Sequence, residues 1–226
     1  NDKNGYHSQK GVKLTYAHHI MFSRDDIDLN QLSFGMSAGL FQQQLDETNF
    51  VDFDPLVTGQ VQKSSYFNVD IGASYNFLNF YVHATVLAAL ETNRSLYSDF
   101  ESANLRRYIF STGYAFGDKH TVLWEPSVLF QLIDATKEKL VDLNIKAQRQ
   151  IALGEGTLWG GFSYRRSFEG AQYLDGTSIS SQKLQYITPF FGVTYKQFMV
   201  GYTYSKVSGP ILFDQGAYHQ ITLGFN

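Results

Sequence analysis

The feature that most constrains this fold is an alternation of apolar with small or polar side chains, repeated every two residues along the chain. Between Leu32 and Leu40, apolar residues alternate with Ser33, Gly35, Ser37 and Gly39. Because successive side chains of a β-strand point to opposite faces, such a stretch forms a strand with one apolar and one polar face. No helical stretch interrupts the pattern, so the sequence predicts an all-β protein.

The alternation recurs in about eleven segments, which we predict to be antiparallel strands of one domain covering residues 1–226. Their predicted bounds are Gly11–Met21, Gln31–Gln42, Tyr66–Asn76, Phe80–Leu87, Arg107–Phe116, Thr121–Leu132, Val141–Gln150, Thr157–Arg166, Leu184–Tyr195, Phe198–Ser205 and Tyr218–Phe225. The chain of 226 residues is not too long for one all-β unit.

The connections between these strands alternate in length. Those at one end are mostly tight turns, whereas the other end has the long connections Gln43–Ser65, Ala88–Arg106, Ser167–Lys183 and Lys206–Gly216, with only Asp134–Lys139 brief. Tight turns at one end and longer loops at the other are typical of an up-and-down barrel in the bacterial outer membrane.

Composition distinguishes a membrane barrel from a soluble sandwich or barrel. Aromatic residues make up 16% of the chain, and the predicted bulky face carries most of them. A soluble barrel with this many strands would be difficult to fill, whereas in a membrane the bulky face contacts lipid and the small face lines a polar interior. No run of 18 apolar residues predicts a transmembrane helix. We therefore predict a transmembrane antiparallel up-and-down β-barrel.

The odd strand number carries a further expectation. An open sheet edge in lipid leaves backbone groups unpaired, at a cost of about several kcal/mol each. We therefore expect an odd number of strands before Asn1 in the native protein, giving about fourteen in the full-length barrel.

Charge and chemistry exclude several functions. The net charge of −3 provides no basic surface for nucleic acid, and the absence of cysteine removes disulfides and thiol catalysis. His18 and His19 are adjacent, so on a strand they face opposite sides and cannot share a metal ion. Asp46–Glu47 and Asp52–Asp54 lack the regular spacing of a calcium loop, which favours a solvated acidic loop. We predict a protein that is not an enzyme and needs no cofactor; a lipid-modifying enzyme using Ser and His is an alternative that no residue spacing supports.

Two groups of residues are candidates for binding. On the polar face the candidates are Lys13, His19, Asp70, His83, Arg107, Glu125, Asp142, Lys146 and Arg165. Their mixed signs favour an interior occluded by paired charges over an ion-selective pore. In the loops Gln43–Ser65, Ala88–Arg106 and Ser167–Lys183, the candidates are Phe50, Phe53, Tyr97, Phe100, Phe168 and Tyr173. Contact with a partner and folding back onto the barrel rim are both open for these aromatic residues.

Several segments, in order along essentially the whole chain, resemble the PorP/SprF family of outer-membrane proteins of the type IX secretion system. They are Asn1–Lys3, Val12–Ile20, Leu32–Gly39, Phe53–Leu56, Arg107–Tyr114, Glu125–Leu129, Trp159–Arg165 and Tyr218–Phe225. The family's amino-terminal part, with its Asn-Pro-Ala-Tyr-Ala-Gly-like motif and further strands, does not occur in this sequence.

The resemblance implies a part in exporting, or holding at the cell surface, a large adhesin-like protein with a type-B carboxyl-terminal sorting domain, as in gliding motility. The implied partners are that secreted protein, periplasmic and outer-membrane components of the secretion system, and membrane lipid. A small-solute outer-membrane porin is the alternative function.

Overall fold

Neighbouring segments of the chain pair with each other in one antiparallel sheet of 13 strands. The computed structural model describes residues 2–23, 30–48, 59–92, 104–151, 155–168, 172–181, 183–209 and 217–225. The strands are β1 (Asp2–Asn4), β2 (His7–Ser23), β3 (Asn30–Asp46), β4 (Val61–Phe77), β5 (Phe80–Leu87), β6 (Arg107–Tyr114), β7 (Phe116–Asp118), β8 (Val122–Ile133), β9 (Lys139–Ile151), β10 (Gly156–Ser167), β11 (Gln172–Asp175), β12 (Ser178–Ser181), β13 (Gln185–Tyr195), β14 (Phe198–Ser208) and β15 (Ala217–Phe225).

The eleven predicted strands are confirmed, since each overlaps one of the strands that have eight or more residues. The short strands β1 and β7 and the separate hairpin of β11 and β12 were not predicted. A segment of three or four residues is too short to show a two-residue period against its neighbours.

At two of the predicted loops, the flanking strands continue several residues into the predicted loop. The loop predicted at Gln43–Ser65 is shorter, because β3 continues to Asp46 and β4 begins at Val61. Similarly, β14 continues to Ser208, into the predicted loop Lys206–Gly216. Glutamine, serine and lysine dominate the first of these extensions, so both of its strand faces are polar there and the hydrophobic contrast disappears.

The alternation of short and long connections gives the sheet two different ends. At one end, called the turn end, β4–β5 and β13–β14 are joined by the two-residue turns 78–79 and 196–197. Their first residues, Leu78 and Lys196, each have a φ of 52°, as tight hairpin turns require. At the other end, called the loop end, lie the longer connections. In the described part of the chain, no helix is long and apolar enough to cross a membrane.

The strand register divides the side chains into two faces. On one face, called the apolar face, Met36 lies opposite both Tyr16 and Ile71 in register. On the other, called the polar face, Ser37 lies opposite both Thr15 and Asp70. Directly opposed residues of antiparallel strands share a face, so the predicted assignment of alternate residues extends across the sheet.

The apolar face is exposed rather than packed into a core. Leu14 is 78% exposed and Leu223 is 75% exposed, and Leu45 is the one buried hydrophobic residue in the described part of the chain. The accessible surface of the chain is 15694 Å², whereas a folded soluble monomer of its mass exposes about 10,400 Å². Many exposed large hydrophobic side chains on one face are typical of a protein that contacts lipid or another large apolar partner.

Several aromatic residues of the apolar face lie near the turn end. Tyr75 and Phe77 stack with ring centroids 6.5 Å apart, and Phe198 meets Phe225 edge-on at 5.3 Å. Transmembrane barrels carry such aromatic girdles where their surface meets the membrane–water interface.

Strands β2, β3 and β4 each have 17 residues and extend beyond the apolar stretch. On the apolar face of these strands the bulky side chains run from Val12 to Ile20, from Leu32 to Leu40 and from Phe67 to Phe77, which matches the about 9–11 residues of a membrane-crossing strand. The remaining ends, residues 7–11, 41–46 and 61–66, pair with each other and are called the projection. At about 3.4 Å per residue, the projection reaches about 20 Å past the apolar stretch.

The sheet is open. Its path runs from β1 and β2 at one edge to β15 at the other, and within the described residues β15 does not pair with β1 or β2. Closure by strands before Asn1 stays a prediction.

Candidate functional site

The polar face brings the predicted charged residues together as ion pairs. Lys13 Nζ on β2 lies 2.5 Å from Asp70 Oδ2 on β4. The lysine crosses the intervening strand β3, where the residue opposite it is Gly39. Lys13 thus connects β2 to the strand two positions away, along the wall of the sheet.

Asp142 and Arg165 form a second pair, with two hydrogen bonds. Arg165 Nε and Nη2 donate to the two carboxylate oxygens of Asp142, both at 2.7 Å. Asp142 on β9 and Arg165 on β10 are directly opposed. The two parallel bonds fix the orientation of both groups, as is typical of bidentate arginine–carboxylate pairs.

Glu125 on β8 connects three strands through its two oxygens. Lys146 Nζ lies 3.4 Å from Oε2, and the Tyr81 hydroxyl donates to Oε1 at 2.9 Å. Tyr81 lies on β5 and reaches Glu125 across β6 at Gly113, where a Cβ would overlap the phenol ring. The missing side chain at Gly113 therefore allows this connection.

These pairs account for six of the predicted polar-face residues. His83 packs against the Tyr81 ring at a centroid distance of 5.1 Å, and His19 Nδ1 lies 2.8 Å from the Ser33 hydroxyl. Arg107 is exposed, and within the described ranges it forms no ion pair. In each of these three pairs the lysine or arginine is matched by a carboxylate, so the residues that the structure describes form no ring of one charge that would select ions.

An aromatic platform on the polar face near the turn end was not predicted. Trp159 on β10 lies over Gly201 on β14, where a Cβ would be 2.9 Å from the indole Cη2. Phe190 on β13 covers Gly161, where a Cβ would be 2.6 Å from the ring Cζ. The indole Nε1 donates to Thr194 Oγ1 at 3.3 Å, which fixes the orientation of the Trp159 ring.

The platform lies beside an open cavity of about 480 Å³. Lys146, Gln148, Thr157, Trp159, Phe190, Thr194 and Met199 line it. Aromatic surfaces with a few hydroxyl, amide and cationic groups suit a small polar ligand or an extended peptide. Continuing the alternation from Gly161, Ser163 and Arg165 back by one step would have placed Trp159 on this face, so the sequence contained the signal.

At the loop end, two polar-face side chains hold the chain that leaves β5. Asn68 donates from Nδ2 to the Leu90 carbonyl oxygen and accepts from the Leu90 N–H, both at 3.1 Å. Asp70 accepts from the Ala88 N–H at 2.9 Å. The Asn68 amide thereby replaces a strand partner just before the connection enters residues that the structure does not describe.

Arg106 fixes the other end of this connection. Its Nη2 donates to the Ala89 carbonyl oxygen at 2.9 Å, and its Nη1 lies 3.6 Å from Asp134. A hydrogen bond with Tyr108 raises the pKa of the Arg106 guanidinium, and the negative charge of Asp134 raises that pKa by a smaller amount. Lys137, and then Asn104, lower the pKa of Asp134 by hydrogen bonding to its carboxylate.

Most of the predicted aromatic loop contacts lie outside the described residues. These are Phe50, Phe53, Tyr97 and Phe100. Tyr173 lies on β11, and Phe168, directly after β10, is 46% exposed. Their role as contacts stays a prediction.

The structure does not bring the two adjacent histidines together as metal ligands. His18 and His19 lie opposite Phe34 and Ser33 respectively, on different faces. Within the described residues no group of three or more His, Cys, Asp or Glu can hold a metal ion. Asp46 Oδ1 accepts from the Thr48 N–H at 3.1 Å, in a local turn; Asp52 and Asp54 lie outside the described residues.

A family described as "Type IX secretion system membrane protein PorP/SprF" matches residues 1–225. Comparison with curated proteins and with solved structures gives no significant match.

Proposed function

Because the chain belongs to the PorP/SprF family of type IX secretion system membrane proteins, we propose that it is an outer-membrane barrel that supports export or surface anchoring of a large adhesin-like protein. The substrate class, a protein with a type-B carboxyl-terminal sorting domain, is part of this proposal. So are its contacts with other outer-membrane and periplasmic components of the secretion system, and its lack of enzymatic activity.

The projection is the observation that carries the proposal. The side of it that continues the apolar face is polar and presents Lys10 on β2, Gln42 on β3 and Ser65 on β4 in one row. Lys63 lies further along, opposite Gln44. A barrel that only crossed the membrane would not require three paired strands about 20 Å longer than the apolar stretch. A rigid polar sheet held above the membrane suits contact with another protein.

The inner side of the projection adds to its rigidity. Phe41 and Tyr66 stack with ring centroids 5.2 Å apart, and Gln9 Nε2 donates to the Tyr66 hydroxyl at 3.3 Å. Gln43 and Leu45 on β3 are buried. Ordered, packed strands lose little conformational entropy when a partner binds.

The turn end is proposed to face the periplasm and the projection to face outward. Tight turns on the periplasmic side and longer external loops are the usual arrangement in outer-membrane barrels. The long connections and the projection then share the cell surface, where a secreted adhesin would be held.

The experiment is purification of the full-length protein from outer membranes in mild detergent, with and without the double substitution Lys10→Glu and Lys63→Glu. We expect the natural protein to recover the carboxyl-terminal domain of a large secreted protein, and the charge-reversed variant to recover at least fivefold less. Lys206→Glu on β14 is the matched control, because it reverses an exposed lysine outside the projection.

Two results would contradict the proposal. One is reproducible absence of any secreted protein's carboxyl-terminal domain from the natural protein's complex. The other is a stepwise conductance in planar bilayers together with normal surface adhesins after removal of the long loops, which would favour the porin alternative. The charge-matched pairs on the polar face support the expectation of no ion-selective conductance.

A further inference from the structure

We propose that the apolar face carries a specific phospholipid site near the turn end, in which Arg149 holds the phosphate and a neighbouring recess holds one acyl chain. The proposal rests on the membrane location proposed above, but not on the identity of the secreted substrate.

Arg149 is an unusual residue for its position. It lies on β9, directly opposite Leu158 on β10, and Leu158 is on the apolar face and 53% exposed. Arg149 is itself exposed, and in the described part of the chain it has no ion-pair partner. Charged side chains on the lipid face of a barrel are tolerated near the interface and costly toward the midplane. An arginine two residues from the end of β9 lies at a level where it can meet lipid headgroups.

The recess, a groove in the apolar face, lies directly beside Arg149. In the next row of the apolar face, Ala147 on β9 is opposite Gly160 on β10, and Trp124 and Phe191 stand on either side of them in register. Two small residues between two large aromatic residues leave a groove in a surface that is otherwise bulky.

The size and lining of this groove suit a hydrocarbon chain. It has a volume of about 400 Å³, and Val122, Ala147, Arg149, Leu158, Gly160 and Phe191 are among the residues that line it. That volume lies within the range of about 300–1,000 Å³ that small-molecule sites occupy. The cation at one side and the apolar floor at the other match a phospholipid, whose phosphate adjoins its acyl chains.

A second pair of small residues lies on the apolar face, but no arginine or lysine lies beside it. Ala73 on β4 lies opposite Ala84 on β5, with Phe34 and Phe110 beyond them in the same row. No lysine or arginine lies in the adjacent rows of these strands on that face. The groove on β9 and β10 thus has an arginine beside it, whereas the Ala73–Ala84 pair has none and supplies a control.

The test is native mass spectrometry of the full-length protein in detergent, after titration with dipalmitoyl phosphatidylglycerol or with dipalmitoylglycerol, which lacks the phosphate. We expect saturable binding of one phosphatidylglycerol and much weaker binding of the diacylglycerol. Arg149→Gln should lower the affinity for phosphatidylglycerol about fivefold, the usual effect of one basic residue near a membrane surface. Arg149→Gln should leave the weak diacylglycerol binding unchanged.

Substitutions that fill the groove test whether it holds the acyl chain. A Cβ on Gly160 would lie 3.4 Å from Phe191 Cβ, so Gly160→Leu should occupy the recess and lower the affinity for both lipids. Ala147→Leu fills the same recess from β9 and covers the case in which the glycine variant fails to fold. Ala84→Leu and Arg166→Gln are the matched controls, and each should bind within twofold of the natural protein. Arg166 is an exposed arginine of the apolar face, opposite Val141, but it lies at the loop end and away from the groove.

The proposal would be overturned if Arg166→Gln weakened binding as much as Arg149→Gln, since Arg149 would then act only as a general interfacial cation. Binding of several lipids without saturation, or unchanged binding in both recess variants, would also overturn it. All of these measurements are independent of whether a secreted protein is recovered, so they separate this site from the proposed function.

Discussion

Removing Arg165 and removing Asp142 should lower the free energy of unfolding by different amounts, although both substitutions break the same ion pair. The Asp142 side chain is 9% exposed, whereas the Arg165 side chain is 50% exposed. Arg165→Gln therefore leaves a nearly buried carboxylate without its cation, and removing one partner of a buried pair costs about 3–5 kcal/mol. Because the pair lies at a polar surface and not in a dry core, we expect the lower limit, about 3 kcal/mol.

Asp142→Asn should cost much less. The arginine that remains is half exposed and can be hydrated, and the asparagine oxygen can still accept one hydrogen bond. Exposed ion pairs contribute about 0–1 kcal/mol, so we expect a loss of about 1 kcal/mol.

Urea titration of the full-length protein folded into detergent micelles measures both values, with the shift of the folded band on unheated gels as the readout of folding. The pair of Lys13 and Asp70 is the control, because its side chains are 45% and 19% exposed; Lys13→Gln and Asp70→Asn should differ by less. Equal costs for the two Asp142–Arg165 variants, or a larger cost for Asp142→Asn, would refute the reasoning from burial.

Two further predictions concern glycine spacing and the loop end. Gly113→Val should displace Tyr81 from Glu125 and lower the free energy of unfolding by about 1–3 kcal/mol in the same titration. Gly35→Ala is the control and should fold with little change, because its Cβ would only approach Tyr16 O at 3.9 Å. Equal effects of the two substitutions would exclude the idea that Gly113 makes room for Tyr81. The pKa of Asp134 is lowered from 3.8 by its hydrogen bonds, so its stabilising contribution is present above that pH and is lost as the pH falls through the folded-state value. Asp134→Asn should therefore flatten the acid dependence of amide hydrogen exchange at residues 134–138, and an unchanged dependence would contradict this assignment.

The sequence predicted strand number, strand direction and the two faces because a period of two residues is a local property. Each stretch from Leu32 to Leu40 or from Phe198 to Ser205 contains its own alternation, and no distant residue is needed to recognise it. The mixed signs on the polar face favoured paired charges, and Lys13 does pair with Asp70 along the wall of the sheet; occlusion of an interior stays a prediction.

The sequence failed where the contrast between faces disappears. In the projection, glutamine and serine occupy both faces, so β3 and β4 were predicted too short. The aromatic platform was missed because Trp159 and Phe190 are large residues on the polar face. They fit there only because Gly161 and Gly201 lie beneath them on paired strands.

The sequence by itself thus determined that this chain forms antiparallel strands with one apolar and one polar face, since side-chain alternation is fixed by backbone geometry within each strand. Only the tertiary structure decided which residues meet across strands, because register joins positions far apart in the chain. Trp159 with Gly201, Tyr81 with Glu125, and Ala147 with Gly160 beside Arg149 become neighbours only when those strands are aligned.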